Sequence, residues 1–252
     1  MSSIVDETTD RPPAVTRPRR RTAAVLQGLL IGLGLVLMVG GFVVMAVDYR
    51  PYGIPTGSMT PTLQVGDTVV ARQIDGKTVG RGDVVVFRDQ AWGGELMVKR
   101  VVAVGGDTVA TTGDDQRLTV NGKPVDEPYL AAQGPQGSAF SVEVPPGRLF
   151  LMGDNRQGSL DSRLHLEIDG GTIPASEVQA RVEATVLPFG RTGMFARTTA
   201  FDGIGGPKAG EPGPLEPAFY ATVVGAATIV VTSAVGGVAG LARRLGRRRA
   251  EA

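Results

Sequence analysis

Apolar residues are arranged along this chain in two unlike ways. Near each end they form an unbroken run, and between the runs they alternate with polar residues. The first run, residues 23–47, offers about 25 positions interrupted only by Gln27, which is long enough for a helix to cross a bilayer. The second, residues 219–242, has about 24 positions without a charge and meets the same length requirement. The middle of the chain has short segments of Val, Leu and Ile separated by Gly, Asp, Asn and Pro. Strands are expected at 68–71, 83–88, 96–104, 118–120, 140–144, 149–152 and 180–187. No long amphipathic helix stands out there. The expected fold is therefore mostly β, an antiparallel sheet built as a sandwich or a coiled barrel and flanked by two transmembrane helices.

Punctuation between the strands refines that picture. Asn121-Gly122 joins RLTV to KPV, a strong signal for a two-residue hairpin turn. Residues 105–146 read as an inserted hairpin-rich lobe whose centre, AAQGPQGSA, is flexible. The expected order is a basic tail (1–22), a membrane helix (23–47), a folded domain (48–200), a Gly/Pro-rich linker (201–217), a second membrane helix (218–242) and a second basic tail (243–252). The N-terminal tail carries too few apolar groups to offset the entropy of ordering it.

Charge then orients the chain. Of its 252 residues, 26 are Lys or Arg and 25 are Asp or Glu, a net charge of +1, so bulk charge points to no nucleic-acid partner. The arginines nevertheless gather at the ends: Arg17, Arg19, Arg20 and Arg21 precede the first run, and Arg243, Arg244, Arg247, Arg248 and Arg249 follow the second. The positive-inside rule places both termini in the cytoplasm and the β domain outside, in a plasma membrane crossed twice. A cleavable signal peptide competes for the first run. Its apolar core is usually only about 7 to 15 residues, and no clear A-x-A site follows, so a retained anchor is expected. The chain has no cysteine, which excludes disulfides, thiolate metal sites and cysteine nucleophiles. Its single histidine, His165, is read as a surface or loop residue. The acids lack metal-ligand spacing and no phosphate-binding loop is present, so neither metal nor cofactor is expected.

Three stretches of the domain could carry chemistry. PTGSMTPTL puts Ser58 on a loop leading into a strand, although a serine in a Gly/Pro loop is usually a turn residue. In LMVKRVVAVGGD, period two sends Lys99 and Arg100 to opposite faces. If Lys99 takes the apolar side, desolvation lowers its pKa; otherwise the two form a solvated edge pair. LMGDNRQGSLDSR reads as a strand end followed by an Asx-capped loop, in which Asp161 and Arg163 pair with each other or with Asp154.

Taken in order behind a membrane anchor, PTGSMTPTL, RGDVVVFR, VKRVVAVGGD and GDNRQGSLDSR closely resemble the motifs of bacterial type I signal peptidases, the Ser/Lys leader peptidases. The resemblance covers residues 55–163, extends towards Pro188 and includes the anchor. It implies a membrane-bound serine endopeptidase that cleaves exported preproteins after small residues (A-x-A type) through an acyl-enzyme. Ser58 then matches the nucleophile and Lys99 the general base. Thr56 matches a hydroxyl at the oxyanion site and Ser159 one that orients the lysine. Asp161 and Arg163 match residues that hold the site, and Asp154 and Asn155 are read likewise as scaffold. Ile54, Met59, Leu63, Met97 and Val98 are placed as pocket lining, with plain core packing as the alternative for each. Secretory preproteins, membrane lipid and the export machinery are the implied partners. An apolar face, with Trp92 in it, would dip into lipid, unless Trp92 is a lone interface aromatic. The second membrane run departs from the commonest layout of the family. Two other classes compete: an inactive membrane-tethered relative, opposed by the intact Ser58 and Lys99, and a self-cleaving repressor, which would have DNA-binding helices where the anchor stands.

Overall fold

The computed structural model describes residues 19–112, 117–130 and 138–250. Most of the expected N-terminal tail, and most of the lobe centre expected to be flexible, fall outside these residues. The chain forms two compact units, Phe42–Phe219 on one hand and Met1–Gly41 with Tyr220–Ala252 on the other.

Phe42–Phe219 is a β domain. Its strands are β1 (Tyr49–Gly53), β2 (Thr68–Gln73), β3 (Val84–Arg88), β4 (Leu96–Val104), β5 (Thr108–Thr112) and β6 (Arg117–Val120), then β7 (Lys123–Pro124), β8 (Phe140–Glu143), β9 (Arg148–Met152), β10 (Thr172–Pro174), β11 (Val178–Leu187) and β12 (Gly193–Met194). Eight of them form one sheet in the order β1-β2-β11-β3-β4-β9-β10, with β12 added to β11. The other four form a small sheet in the order β7-β6-β5-β8. Pairing between neighbouring strands is antiparallel in both sheets. Register shifts interrupt β11 against β2 and β3, and β4 against β9. Such bulges increase local twist, and they coil the large sheet rather than leaving it flat.

The expected β class is what the chain adopts, and each expected strand lies on an observed one. β1 was not legible because YRPYG has neither alternation nor β-branched residues; it forms as an edge strand, in register with β2 from Tyr49↔Arg72 to Gly53↔Thr68. Asn121 (φ 55°) and Gly122 (φ 75°) both take the left-handed conformation that a two-residue hairpin turn demands between β6 and β7.

Alternation along β4 divides the core. Ile54, Met59, Leu63, Val69, Val84, Val86 and Ala180 pack in one cluster, while Val85, Phe87, Trp92, Val101, Leu151 and Ile173 pack in a second. A third cluster joins Val102, Phe150 and Met152 of the large sheet to Val109, Leu118, Val120 and Phe140 of the small one.

Residues 201–217, expected as a linker, are fastened to the domain. Phe201 and Ile204 enter the third cluster. Arg81, paired with Asp107 at 2.5 Å, donates to the carbonyls of Gly205 (2.9 Å) and Pro207 (3.2 Å). Asp83 accepts from Gly210 N–H at 3.0 Å, and Arg181 donates to the Glu211 carbonyl at 2.7 Å. Glu183 accepts from Gly213 N–H and from the Tyr49 hydroxyl, each at 3.0 Å. The glycines are there for proximity: a Cβ on Gly80 would lie 1.8 Å from the Lys208 carbonyl oxygen. Composition suggested flexibility because it does not reveal that Arg81, Asp83, Arg181 and Glu183 wait beneath the segment.

Two helices, α1 (Arg19–Asp48) and α2 (Leu215–Ala250), contain the apolar runs. Stretches Thr22–Asp48 and Leu215–Gly246 are long and apolar enough to cross a membrane. Within the helical unit, a Cβ on Gly225 would lie 2.5 Å from the Gly34 carbonyl oxygen, so the two backbones touch there. Gln27, the one polar interruption of the first run, donates to the Thr232 carbonyl at 3.4 Å. Small residues that let backbones meet, and polar side chains that bond across, are how helices associate when lipid offers no hydrophobic drive.

Candidate active site

Ser58 sits in a single 3-10 turn, Gly57–Met59, whose own hydrogen bond runs from Thr60 N–H to the Gly57 carbonyl at 3.2 Å. The turn is fixed by its apolar neighbours, since Ile54, Met59 and Leu63 are all buried in the core beneath it. The loop after β9 holds it from the other side: Asn155 N–H donates to the Ser58 carbonyl at 3.0 Å and Asn155 Nδ2 to the Gly57 carbonyl at 3.1 Å. Both carbonyls are thereby drawn towards that loop.

Lys99 comes from β4 and is 4% exposed. Its Nζ lies 3.0 Å from Ser58 Oγ and 3.2 Å from the Val98 carbonyl oxygen. Of the two environments the strand left open for Lys99, it takes the buried one, and burial pushes its amine below the ordinary lysine value while Asp161 pulls the other way. Arg100 takes the other face. It meets Asp154 in two bonds of 2.8 and 2.6 Å, donates to the Gly82 carbonyl at 2.8 Å and lies 4.0 Å over the Tyr129 ring. A fork-to-fork pair of this kind orients as well as attracts, and Thr62 adds a third bond to Asp154.

Asp161 caps a second 3-10 turn, Ser162–Leu164, accepts from Gly153 N–H at 2.9 Å, and pairs with Arg163 at 2.8 Å. Arg163 reaches on to the Arg156 carbonyl at 2.8 Å. Of the two pairings open to Asp161 and Arg163, they make the one with each other, and Asp154 pairs with Arg100 instead. Thr56 Oγ1 lies 3.5 Å from Ser58 Oγ, at the rim. Ser159 is buried against Gly153, and its Oγ makes no hydrogen bond among the described residues. The lysine-orienting bond implied for Ser159 is therefore not formed here.

A cleft of about 440 Å³ opens over Ser58 and Lys99. Ile54, Met59, Met97 and Val98 line it; Leu63 does not, being wholly buried in the core below. Trp92 also reaches the cleft wall but is only 8% exposed, so it is no lipid-facing aromatic. Its ring stacks on His165 at 4.2 Å and meets Phe87 edge-on at 5.8 Å. His165, expected at the surface, is half-buried in that stack with Nδ1 2.8 Å from the Asp161 carbonyl. Among the described residues no group of His, Cys, Asp or Glu could hold a metal ion.

Sequence reasoning missed the second ionic cluster behind the loop. Arg156 pairs with Glu127 at 2.8 and 2.5 Å and donates to the Gly153 carbonyl at 2.9 Å, and Tyr129 donates to Glu127 at 2.7 Å. Glu127 and Tyr129 come from the small lobe, 29 positions before Arg156 in the case of Glu127, and no local pattern announces such a pair.

This arrangement can be set beside known proteins. The sequence profile of the family described as signal peptidase, peptidase S26, matches residues 25–187. Signal peptidase I of Mycobacterium tuberculosis (strain ATCC 25618 / H37Rv) is 34% identical over 239 residues, spanning 74% of this chain and 79% of that protein. Signal peptidase I U of Bacillus subtilis (strain 168) is 35% identical over 160 residues, 59% of this chain and 81% of that one. A crystal structure of a signal peptidase I from Enterococcus faecalis V583 overlaps 40% of this chain and 93% of its own, with 28% identity and a TM-score of 0.34. That last overlap is slight, and the assignment stands on the profile and the sequence relatives. With a profile match that runs from the first membrane helix through both motif-bearing strands to the end of β11, the chain belongs to the signal peptidase family, peptidase S26, and is a peptidase.

Proposed function

We propose that this protein is a membrane-bound serine endopeptidase that removes signal peptides from exported preproteins, with Ser58 as nucleophile and Lys99 as general base. The observation that carries the reading is the 3.0 Å approach of a buried lysine amine to a serine hydroxyl at the floor of an open cleft. A lysine that burial holds below its ordinary pKa keeps a neutral fraction able to accept a proton.

In the first half-reaction the Ser58 hydroxyl gives its proton to Lys99 Nζ as Ser58 Oγ bonds to the scissile carbonyl carbon. The negative oxygen that results meets Ser58 N–H, which the turn's own hydrogen bond does not use, and the Thr56 hydroxyl. Collapse breaks the C–N bond, the lysine ammonium returns the proton to the departing amine, and the signal peptide stays as an ester on Ser58. Water then attacks the ester, Lys99 takes its proton, and Ser58 is restored as the carboxylate product leaves.

The substrate lies extended in the cleft. β4 pairs with β3 along Leu96–Arg100, but its pairing with β9 begins only at Arg100↔Met152. Residues 96–99 therefore offer their outer edge to an incoming strand, which supplies affinity without sequence demands. Ile54, Met59, Met97 and Val98 shape pockets suited to small side chains before the cut, the A-x-A pattern. Asp154, Asn155, Asp161 and Arg163 hold the two loops that carry the site. Both termini lie in the cytoplasm and the β domain outside, near the lipid where the apolar core of a signal peptide resides, with preproteins delivered by the export machinery. No cofactor takes part in this scheme.

The test is purified full-length protein with an A-x-A preprotein. Ser58→Ala and Lys99→Ala should each lower kcat on the order of 10⁴-fold or more. Cleavage at near wild-type rate by either variant overturns the dyad.

A further inference from the structure

We propose that Glu95 is a specificity residue of the cleft: it favours a basic, and disfavours an acidic, substrate side chain at the fourth or fifth position before the cut. The inference rests on the peptidase reading above. Glu95 lines the same cleft as Ser58 and is exposed. Among the described residues lining that cleft, the charged ones are Glu95 and Lys99, and Lys99 is buried at its floor. The charge a bound peptide meets along the open part of the groove is therefore that of one carboxylate.

Its position along the groove follows from the strands. Glu95 immediately precedes β4, whose residues 96–99 have the unpaired outer edge. The other wall, from Tyr52 through Ile54 to Ser58, runs towards the dyad from the same end. A peptide between these walls has its scissile carbonyl at Ser58 and Lys99 and its upstream residues beside Val98, Met97, Leu96 and Glu95 in turn. Four residues of extended chain from Lys99 reach about 13 Å, which brings the fourth or fifth residue before the cut alongside Glu95. Every residue from Leu96 to Lys99 reaches the cleft, and Glu95 is the next position along that same edge and also lines it. A charge at the exposed rim acts weakly and is screened by salt, so the effect is one of selection rather than of rate as a whole.

The experiment uses the full-length protein in detergent and a set of synthetic A-x-A peptides carrying Lys, Gln or Glu at the fourth, fifth or sixth position before the cut. The readout is the ratio of kcat/KM for the Lys and Glu peptides within each protein, so that a general loss of folded enzyme cancels. The wild type should prefer Lys by about three- to tenfold at low salt. That preference should shrink as salt is raised, fall to within about twofold in Glu95→Gln and reverse in Glu95→Lys. Equal wild-type rates for the Lys and Glu peptides, or a preference unchanged in both variants, overturn the assignment of Glu95 alone. Failure of the wild type to cut any peptide of the set overturns this assignment together with the reading of the site.

Discussion

Lys99 differs from an ordinary lysine in what surrounds it: a strand interior, one hydroxyl, one carbonyl, and a carboxylate, Asp161, already engaged by Arg163. Burial depresses its pKa, and only the neutral amine can accept the Ser58 proton. The rate at saturating substrate should therefore rise with pH along a single limb, as the amine loses its proton, with its midpoint below the ordinary lysine value of about 10.4. A pH series of kcat, measured over the whole range in which the fold is intact, checks this, and the absence of a rising limb anywhere in that range removes Lys99 as base. The family resemblance pointed to Ser58 and Lys99; the strand pattern by itself did not. Alternation on LMVKRVV showed that Lys99 and Arg100 must face different surroundings, but not which of them faced Ser58. The answer depends on Asp154, which claims Arg100 from a loop 54 positions away. Pocket residues suffered from the same blindness: Met59 and Leu63 are buried in one core cluster, and only Met59 also reaches the cleft.

The loop following β9 works as an element, tying the nucleophile's turn, the end of β9 and the small lobe together through contacts between residues distant in sequence, which local patterns cannot announce. Gly153 is its tightest point. A Cβ there would stand 2.2 Å from Ser159 Oγ and 2.5 Å from the Ser58 carbonyl oxygen. Gly153→Ala must then push the Ser58 turn outward. A displacement on the order of 1 Å in a reacting group costs about a hundredfold in rate. The variant should lose about that much kcat while its far-ultraviolet circular dichroism stays that of the wild type. A kcat within a few-fold of wild type would mean that the loop yields elsewhere. Strands with plain alternation, such as β4, were read to the residue. β1, β10 and β12, which exist because a neighbour offers them an edge, had no signal of their own.

At the scale of the whole molecule, the two apolar helices and the arginine clusters at their outer ends lead to a topology that labelling can test. Because the chain has no cysteine, single cysteines can be introduced without background. In intact cells a membrane-impermeant maleimide should label Phe189→Cys, whose parent side chain is 87% exposed on the β domain, and should leave Ser3→Cys unlabelled until the membrane is opened. Labelling of Ser3→Cys from outside would invert the proposed orientation. The segment from Phe201 to Pro214 was the poorest reading of the sequence at this scale, since glycine and proline spell a tether in composition and a moulded strap in context. Its fastening has a consequence for a broken chain. Cleavage after Lys208, whose side chain is about half exposed, severs the covalent path to α2 but leaves Gly210, Glu211 and Gly213 held by Asp83, Arg181 and Glu183. The nicked protein should thus migrate as one particle in gentle detergent and come apart only in sodium dodecyl sulfate.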